Sequence, residues 1–375
     1  MKKNLLKLVC FSFCSFCFCQ QFTVAVLPDT QPYTDMCAQK SFFFYPLNTL
    51  DILESQVDYI AEHSALNGGD IVFALHEGDV VEHWGKFQCE WRDASRMMGK
   101  LDGVVPYLIV PGNHDYDRWN QSKEPIQVSG YRNFESYFGP DSSHFKNKSW
   151  YGGSYHGGTN SWSVQNIDGY QILFLALELE PTDDTLDWAQ EVINLHKGIP
   201  TVIVTHEFLN LGSQATFCNS RNRADAGGNS PENVWNKFIR KNSQIIFLLC
   251  GHAFYGSNGE GRRIEKNDDG YLVHFLLSNY QGRDEIIKAT KGGIRIYDLP
   301  SGDGWLRLMH FDIANNCVHV QTYSPYLDRY ETDEDSDFTI NFDFDWKKRF
   351  PKKDMRKIQE VESKFLPKSV YFCGV

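Results

Sequence analysis

Five short apolar runs, each ending within a few residues of a carboxylate, an amide or an imidazole, constrain this chain of 375 residues more than any other feature. The first, FTVAVLP at 22–28, runs into PDTQ and sets Asp29 and Gln31 just past its end. IVFAL at 71–75 leads into HEGDVVE with Asp79, and VVPYLIV at 104–110 leads into PGNHD with Asn113, His114 and Asp115. TVIVT at 201–205 is followed by His206, and IIFLLC at 245–250 by Gly251 and His252. Runs of roughly four to eight apolar residues read as buried strands. The segments between them keep helical spacing. Leu50, Leu53, Val57 and Ile60 follow a cap at Asn48 or Thr49, Thr182 opens a helix through His196, and Ser230 with Pro231 opens another. Strands alternating with helices predict an α/β fold. In such folds ligands gather at the carboxyl ends of the strands, so side chains spread over more than half the chain are expected to converge.

The rest of the chain frames this pattern. WSVQNIDGYQILFLALE reads as a hairpin turning at Asp168-Gly169, and the Gly-, Ser-, Tyr- and Trp-rich stretch 141–161 as a long surface loop. After residue 270, YLVHFLL, GWLRLMHFD and CVHVQTY, the last two turning at Asn315-Asn316, read as an antiparallel edge or second sheet of the same domain. Residues 1–20 carry Lys2, Lys3 and Lys7 beside an apolar stretch from Leu8 to Phe18, the pattern of a signal peptide, and predict export to the outside, a periplasm or a secretory lumen. That stretch is too short to span a bilayer. The folded domain is expected over 21–326, with an extension over 327–375 that is first acidic and then basic and contains one strand, TINFDF. Outside the signal lie Cys37, Cys89, Cys218, Cys250, Cys317 and Cys373, whose pairing the sequence leaves open. Cys250, at the end of an apolar run, reads as a buried thiol. A net charge of −11 supplies no basic excess for general nucleic-acid binding.

Taken singly, Asp29, Asn113 and Asp115 are ordinary turn formers, and a lone histidine at a strand end is more often hydrogen-bonded than ligating. Together, aspartate, asparagine and histidine suit borderline-hard divalent cations. Their order, PDTQ, GDVVE, GNHD, TH and GH, resembles the calcineurin-like metallophosphoesterases. YGGSY, LDWA, GEGRR, GWLRL and TYSP extend the resemblance to bacterial-type members that begin with PDTQ, over roughly residues 22–326. The resemblance implies a four-layer α/β/β/α sandwich of two mixed sheets flanked by helices, and hydrolysis of a phosphomonoester or phosphodiester on a small molecule or biopolymer. It also implies one or two divalent metals per chain, whether manganese, iron, zinc, magnesium or calcium. Asp79 would bridge the metals, and Asp79, Asn113, His206 and His252 would form one site. Asp29 and Gln31 would serve the other, His114 would protonate the leaving group, and Asp115 would orient its ring.

Two departures fall on that other site. Gln31 stands where most relatives carry histidine, and GHAF places Phe254 where a second histidine should ligate. The lengthened loop AFYGSN is expected to bring Asn258 or Glu260 in as a replacement, leaving one well-made site and one weak one. Arg262 and Arg263 are expected to grip the phosphate. The alternative is a protein of this fold that binds one metal or a phosphorylated ligand without turnover. His76-Glu77 and His206-Glu207 lack the second histidine of a zinc-protease helix, and the Asp333–Asp337 stretch lacks the glycine and final glutamate of a calcium loop.

Overall fold

In β1 (Gln21–Leu27) every residue after Gln21 is buried, and alternate side chains enter different cores. Ala25 and Leu27 face one, while Phe22, Val24 and Val26 face another. A strand buried on both faces needs a layer on each side, and the computed structural model, which describes residues 21–345 apart from 36, 38–47, 84–85, 121–126, 220–226, 284 and 286–301, shows both layers.

Among the described residues there are two seven-stranded mixed sheets. The first joins β1 in parallel to β2 (Ile71–His76), which pairs in parallel with β3 (Tyr107–Ile109). A small hairpin, β4 (Arg118–Asn120) with β5 (Gln127–Ser129), stands apart from both sheets. The second sheet runs from β6 (Gly153–Tyr155) through β7 (Asn160–Ile167), β8 (Tyr170–Ala176), β9 (Thr201–Val204) and β10 (Ile245–Cys250). Beyond β10 lie β12 (Leu272–Ser278) and, at the edge, β11 (Glu260–Lys266). The β7–β8 hairpin turns at Asp168 and Gly169, both at positive φ, as the primed two-residue turn requires.

The two sheets pack face to face through Phe22, Phe73, Leu108, Phe174, Val202 and Ile246, with Phe73 and Phe174 stacked at 4.1 Å between ring centres. Helices α2 (Leu50–Glu62) and α3 (Gln88–Met98) cover the outer face of the first sheet. Helices α5 (Asp183–Leu195) and α6 (Pro231–Lys237) cover that of the second. Ser230 caps α6 by accepting from the Asn233 N–H. Two short helices lie elsewhere, α1 (Gln31–Thr34) directly after β1 and α4 (Arg132–Phe138) against α3. The layers are helix, sheet, sheet, helix, as the resemblance implied.

The strands after residue 270, expected as an antiparallel edge or a second sheet, are divided between the two sheets. β12 runs parallel to β10 in the second sheet, whereas β13 (Leu306–Asp312) and β14 (Cys317–Ser324) return to the first sheet beside β1. The long stretch over 141–161 is not all loop, because β6 lies within it and Phe145 is buried. β15 (Arg329–Tyr330) and β16 (Asp337–Asn341) both pair with β14, and Phe342 and Phe344 enter the core between the sheets. Cys37 and Cys89 form a disulfide, and Cys218 and Cys250 are buried thiols. The signal-like residues, Cys373 and the basic C-terminal segment lie outside the described residues. No helix among the described residues is long and apolar enough to cross a membrane.

Candidate metal centre

The parallel strands β1, β2 and β3 of one sheet and β9, β10 and β12 of the other end at the same side of the sandwich, and their following loops meet there. Asp29 follows β1, Asp79 follows β2, Asn113 and His114 follow β3, His206 follows β9 and His252 follows β10. The loops are tied by their backbones. The N–H groups of Thr30 and Gln31 both donate to the Asp79 carbonyl, at 3.1 and 2.8 Å.

Asp79 and His252 are held at φ of 50° and 67°, a left-handed conformation that costs a non-glycine residue energy and persists only where the surroundings impose it. The neighbouring glycines are needed for close approach. A β-carbon at Gly112 would lie 2.1 Å from Asp79 Oδ1, and one at Gly251 would lie 2.2 Å from Asp29 Oδ1.

Four donor atoms cluster at the centre. His206 Nδ1–H donates to the Glu77 carbonyl at 2.8 Å, which turns Nε2 inward. Nε2 stands 3.0 Å from Asn113 Oδ1, 3.1 Å from His252 Nδ1 and 3.4 Å from Asp79 Oδ1. His206, Asp79 and Asn113 are all buried, and His252 is half-buried. Lone pairs aimed at one point repel unless a cation, or a proton on His206 Nε2, sits among them. Burial alone would push the His206 ring down, yet the Asp79 carboxylate raises it to about 10. Burial would likewise raise Asp79, but the charges of His206 and His114 hold it below the usual carboxylate range. Two imidazoles, a carboxylate and an amide oxygen in this arrangement fit a divalent transition-metal ion.

A second set of oxygens lies beside the first. Burial pushes Asp29 up to about 7. Its Oδ1 accepts the His252 N–H at 3.1 Å and its Oδ2 accepts from Asn279 Nδ2 at 3.0 Å. Gln31 donates Nε2 to Asp79 Oδ2 at 3.0 Å and leaves a buried Oε1 without a hydrogen-bond partner among the described residues. A cavity of about 720 Å³ opens over this region, lined by Gln31, Asp79, Asn113, His114, His252 and Phe254 among others.

The structure thus brings Asp29, Gln31, Asp79, Asn113, His114, His206 and His252 together, and it corrects three expectations. Asp115 does not orient the His114 ring. Its two oxygens accept the N–H groups of Val80, Val81 and Gly112, at 2.7–3.1 Å, and so brace the loops that carry Asp79 and Asn113. The ring of His114 is instead held at Nδ1 by the Glu82 carbonyl, at 2.6 Å.

Arg262 and Arg263, on β11, line a different cavity of about 670 Å³, because β11 is the far edge strand of its sheet. There Arg262 stacks on Phe338 at 4.3 Å, while Arg263 stacks on Phe217 and donates to the Ala215 carbonyl.

Neither Asn258 nor Glu260 replaces the missing imidazole. Asn258 closes a tight turn with Tyr255, and Glu260 is buried against Arg307 at 2.5 Å and Arg283 at 3.4 Å.

Asn279 and Glu77 are the contributors that motif reading misses. Asn279 donates to both Asp29 and the His252 carbonyl, and the Glu77 carbonyl sets the His206 tautomer. Asn279 was within reach of the strand-end rule, since YLVHFLL also ends in polar residues, Ser278 and Asn279.

A family model described as calcineurin-like phosphoesterase matches residues 22–254. The chain is also similar to a Bacillus subtilis (strain 168) protein called "Uncharacterized protein YvnB", at 28% identity over 361 residues. That alignment covers 93% of this chain and 23% of the relative, so the chain spans less than a quarter of that protein's length.

Proposed function

The chain belongs to the calcineurin-like phosphoesterase family, and from that premise we propose that it hydrolyses a phosphoric ester with the help of bound divalent cations. The convergence of Asp79, Asn113, His206 and His252 on one point carries this reading. These four would hold one cation, and Asp29, Gln31 and Asp79 would hold a second. Such cations supply Lewis acidity, neutralising phosphate charge and lowering the pKa of water toward neutrality.

The protein's own groups account for the rest. Asp115 and the Thr30 and Gln31 amides keep the Asp79 loop in its strained conformation, so that the carboxylate is placed before substrate arrives. His114 lines the cavity, and its ring is held at Nδ1 by the Glu82 carbonyl. When water attacks phosphorus and the bond to the leaving oxygen breaks, His114 Nε2–H would give that oxygen its proton.

The test uses chelator-treated protein, p-nitrophenyl phosphate, bis-p-nitrophenyl phosphate and an alkyl phosphate, with manganese, iron, zinc or magnesium restored one at a time. Metal-restored turnover is expected. His114→Asn should slow the alkyl ester far more than the nitrophenyl esters, whose leaving group needs no proton. Absence of turnover on every ester with every cation would refute the reading.

Export belongs to the same proposal. The signal-like pattern of residues 1–20 and the Cys37–Cys89 disulfide both support an oxidising compartment. Full-length protein found with Met1 intact and both cysteines reduced in cells of its source would contradict it.

A further inference from the structure

We propose that Gln281 supplies the second cation with the oxygen ligand that Phe254 cannot provide. The inference rests on the metal reading above and concerns a residue no motif singles out. Gln281 sits in the turn after β12 and lines the same cavity as Gln31, Asp79, Asn113 and His252. Its Oε1 is buried and, like Gln31 Oε1, has no hydrogen-bond partner among the described residues. Two buried amide oxygens without donors, lining one cavity with the buried carboxylate of Asp79, call for a positive partner.

The turn is positioned for this by Asn279. Its Oδ1 accepts the Gln281 N–H at 3.0 Å, and its Nδ2 donates to Asp29 Oδ2 at 3.0 Å and to the His252 carbonyl at 2.8 Å. One side chain therefore fixes Gln281 relative to Asp29 and the His252 loop. Phe254 packs on the same turn, since a β-carbon at Gly282 would come within 2.7 Å of Phe254 Cδ2. The ring that stands where the resemblance implies an imidazole thus packs against the segment that carries the amide. The resulting set, Asp29, Asp79, Gln31 and Gln281, offers only oxygen and favours manganese, magnesium or calcium over zinc.

The experiment counts cations rather than turnover. Chelator-treated wild type, Gln281→Ala and Gln281→His are titrated with Mn²⁺ by calorimetry and by electron paramagnetic resonance, with near-ultraviolet circular dichroism checking that each variant is folded. The expectation is two Mn²⁺ per wild-type chain. In Gln281→Ala the tighter site is retained and the weaker one loses at least about tenfold in affinity, the scale of lost metal contacts. In Gln281→His the second site regains affinity and shifts toward zinc. Two sites of wild-type affinity in Gln281→Ala would overturn the role of Gln281. A single Mn²⁺ per wild-type chain would overturn it while sparing the metal reading, and no binding by wild type would remove both.

Discussion

Replacing Asn279 with alanine probes how the second half of the site is held. Asn279 is buried, and its amide satisfies three groups at once: Asp29 Oδ2, the His252 carbonyl and the Gln281 N–H. Truncation leaves two acceptors and one donor without partners. Each such group costs roughly 1–3 kcal/mol when left buried and unsatisfied. Water entering the space vacated by the amide can meet part of that demand, which brings the expected loss to about 2–5 kcal/mol. The same change frees Asp29 and the Gln281 turn to move, and second-sphere losses of this kind lower metal affinity about 10–100-fold. Urea denaturation in the presence of chelator isolates the stability term, and Mn²⁺ calorimetry on the folded variant isolates the binding term. A variant within about 0.5 kcal/mol of wild type, the range of an inert surface change, and with unaltered Mn²⁺ affinity, would refute the assignment of Asn279 as a positioning residue.

Three further outcomes follow from named contacts. Glu260→Gln leaves the buried Arg307 and Arg283 without their shared carboxylate and should cost roughly 3–5 kcal/mol in urea denaturation; a loss under about 1 kcal/mol would show that the pair is not desolvated as described. His83 is raised above its ordinary value chiefly by its hydrogen bond to Glu90, against the opposing effect of burial, so its stabilising contribution is complete below about pH 6.5 and fades as pH rises through the raised value. The stability gap between wild type and His83→Gln should therefore narrow from pH 6 to pH 9, and a gap that widens would reverse the assignment. Arg262→Ala, placed in the separate cavity at the β11 edge, should leave kcat/KM within about twofold of wild type on any phosphoester the protein turns over; a loss of tenfold or more would return Arg262 to the substrate.

Much of the centre was legible because backbone geometry enforces it. A parallel strand buried on both faces must be apolar, and it must release its first polar side chains at its carboxyl end. Asp29, Asp79, Asn113, His206 and His252 therefore announce themselves one by one along the sequence. What sequence did not carry is which hydrogen bonds each group makes. Asp115 reads as a partner of the adjacent His114, yet the turn directs its carboxylate back onto the amides of Val80, Val81 and Gly112. Arg262 and Arg263 lie close in sequence to His252, but β11 carries them to the sheet edge, away from the strand ends. Glu260 resembled a spare ligand only because its partners, Arg283 and Arg307, lie 23 and 47 positions further along the chain. The split of the last strands between two sheets was equally hidden, since β12 and β13 have the same apolar character and differ only in which neighbour they meet.

The most direct test of the central claim is metal per chain, measured by elemental mass spectrometry on purified protein after dialysis, for wild type, Asp79→Asn and His206→Ala. The strand-end cluster predicts retained divalent metal in wild type and its loss in both variants while each remains folded. Wild type that retains no metal after incubation with manganese, iron or zinc, or variants that keep as much as wild type, would contradict it.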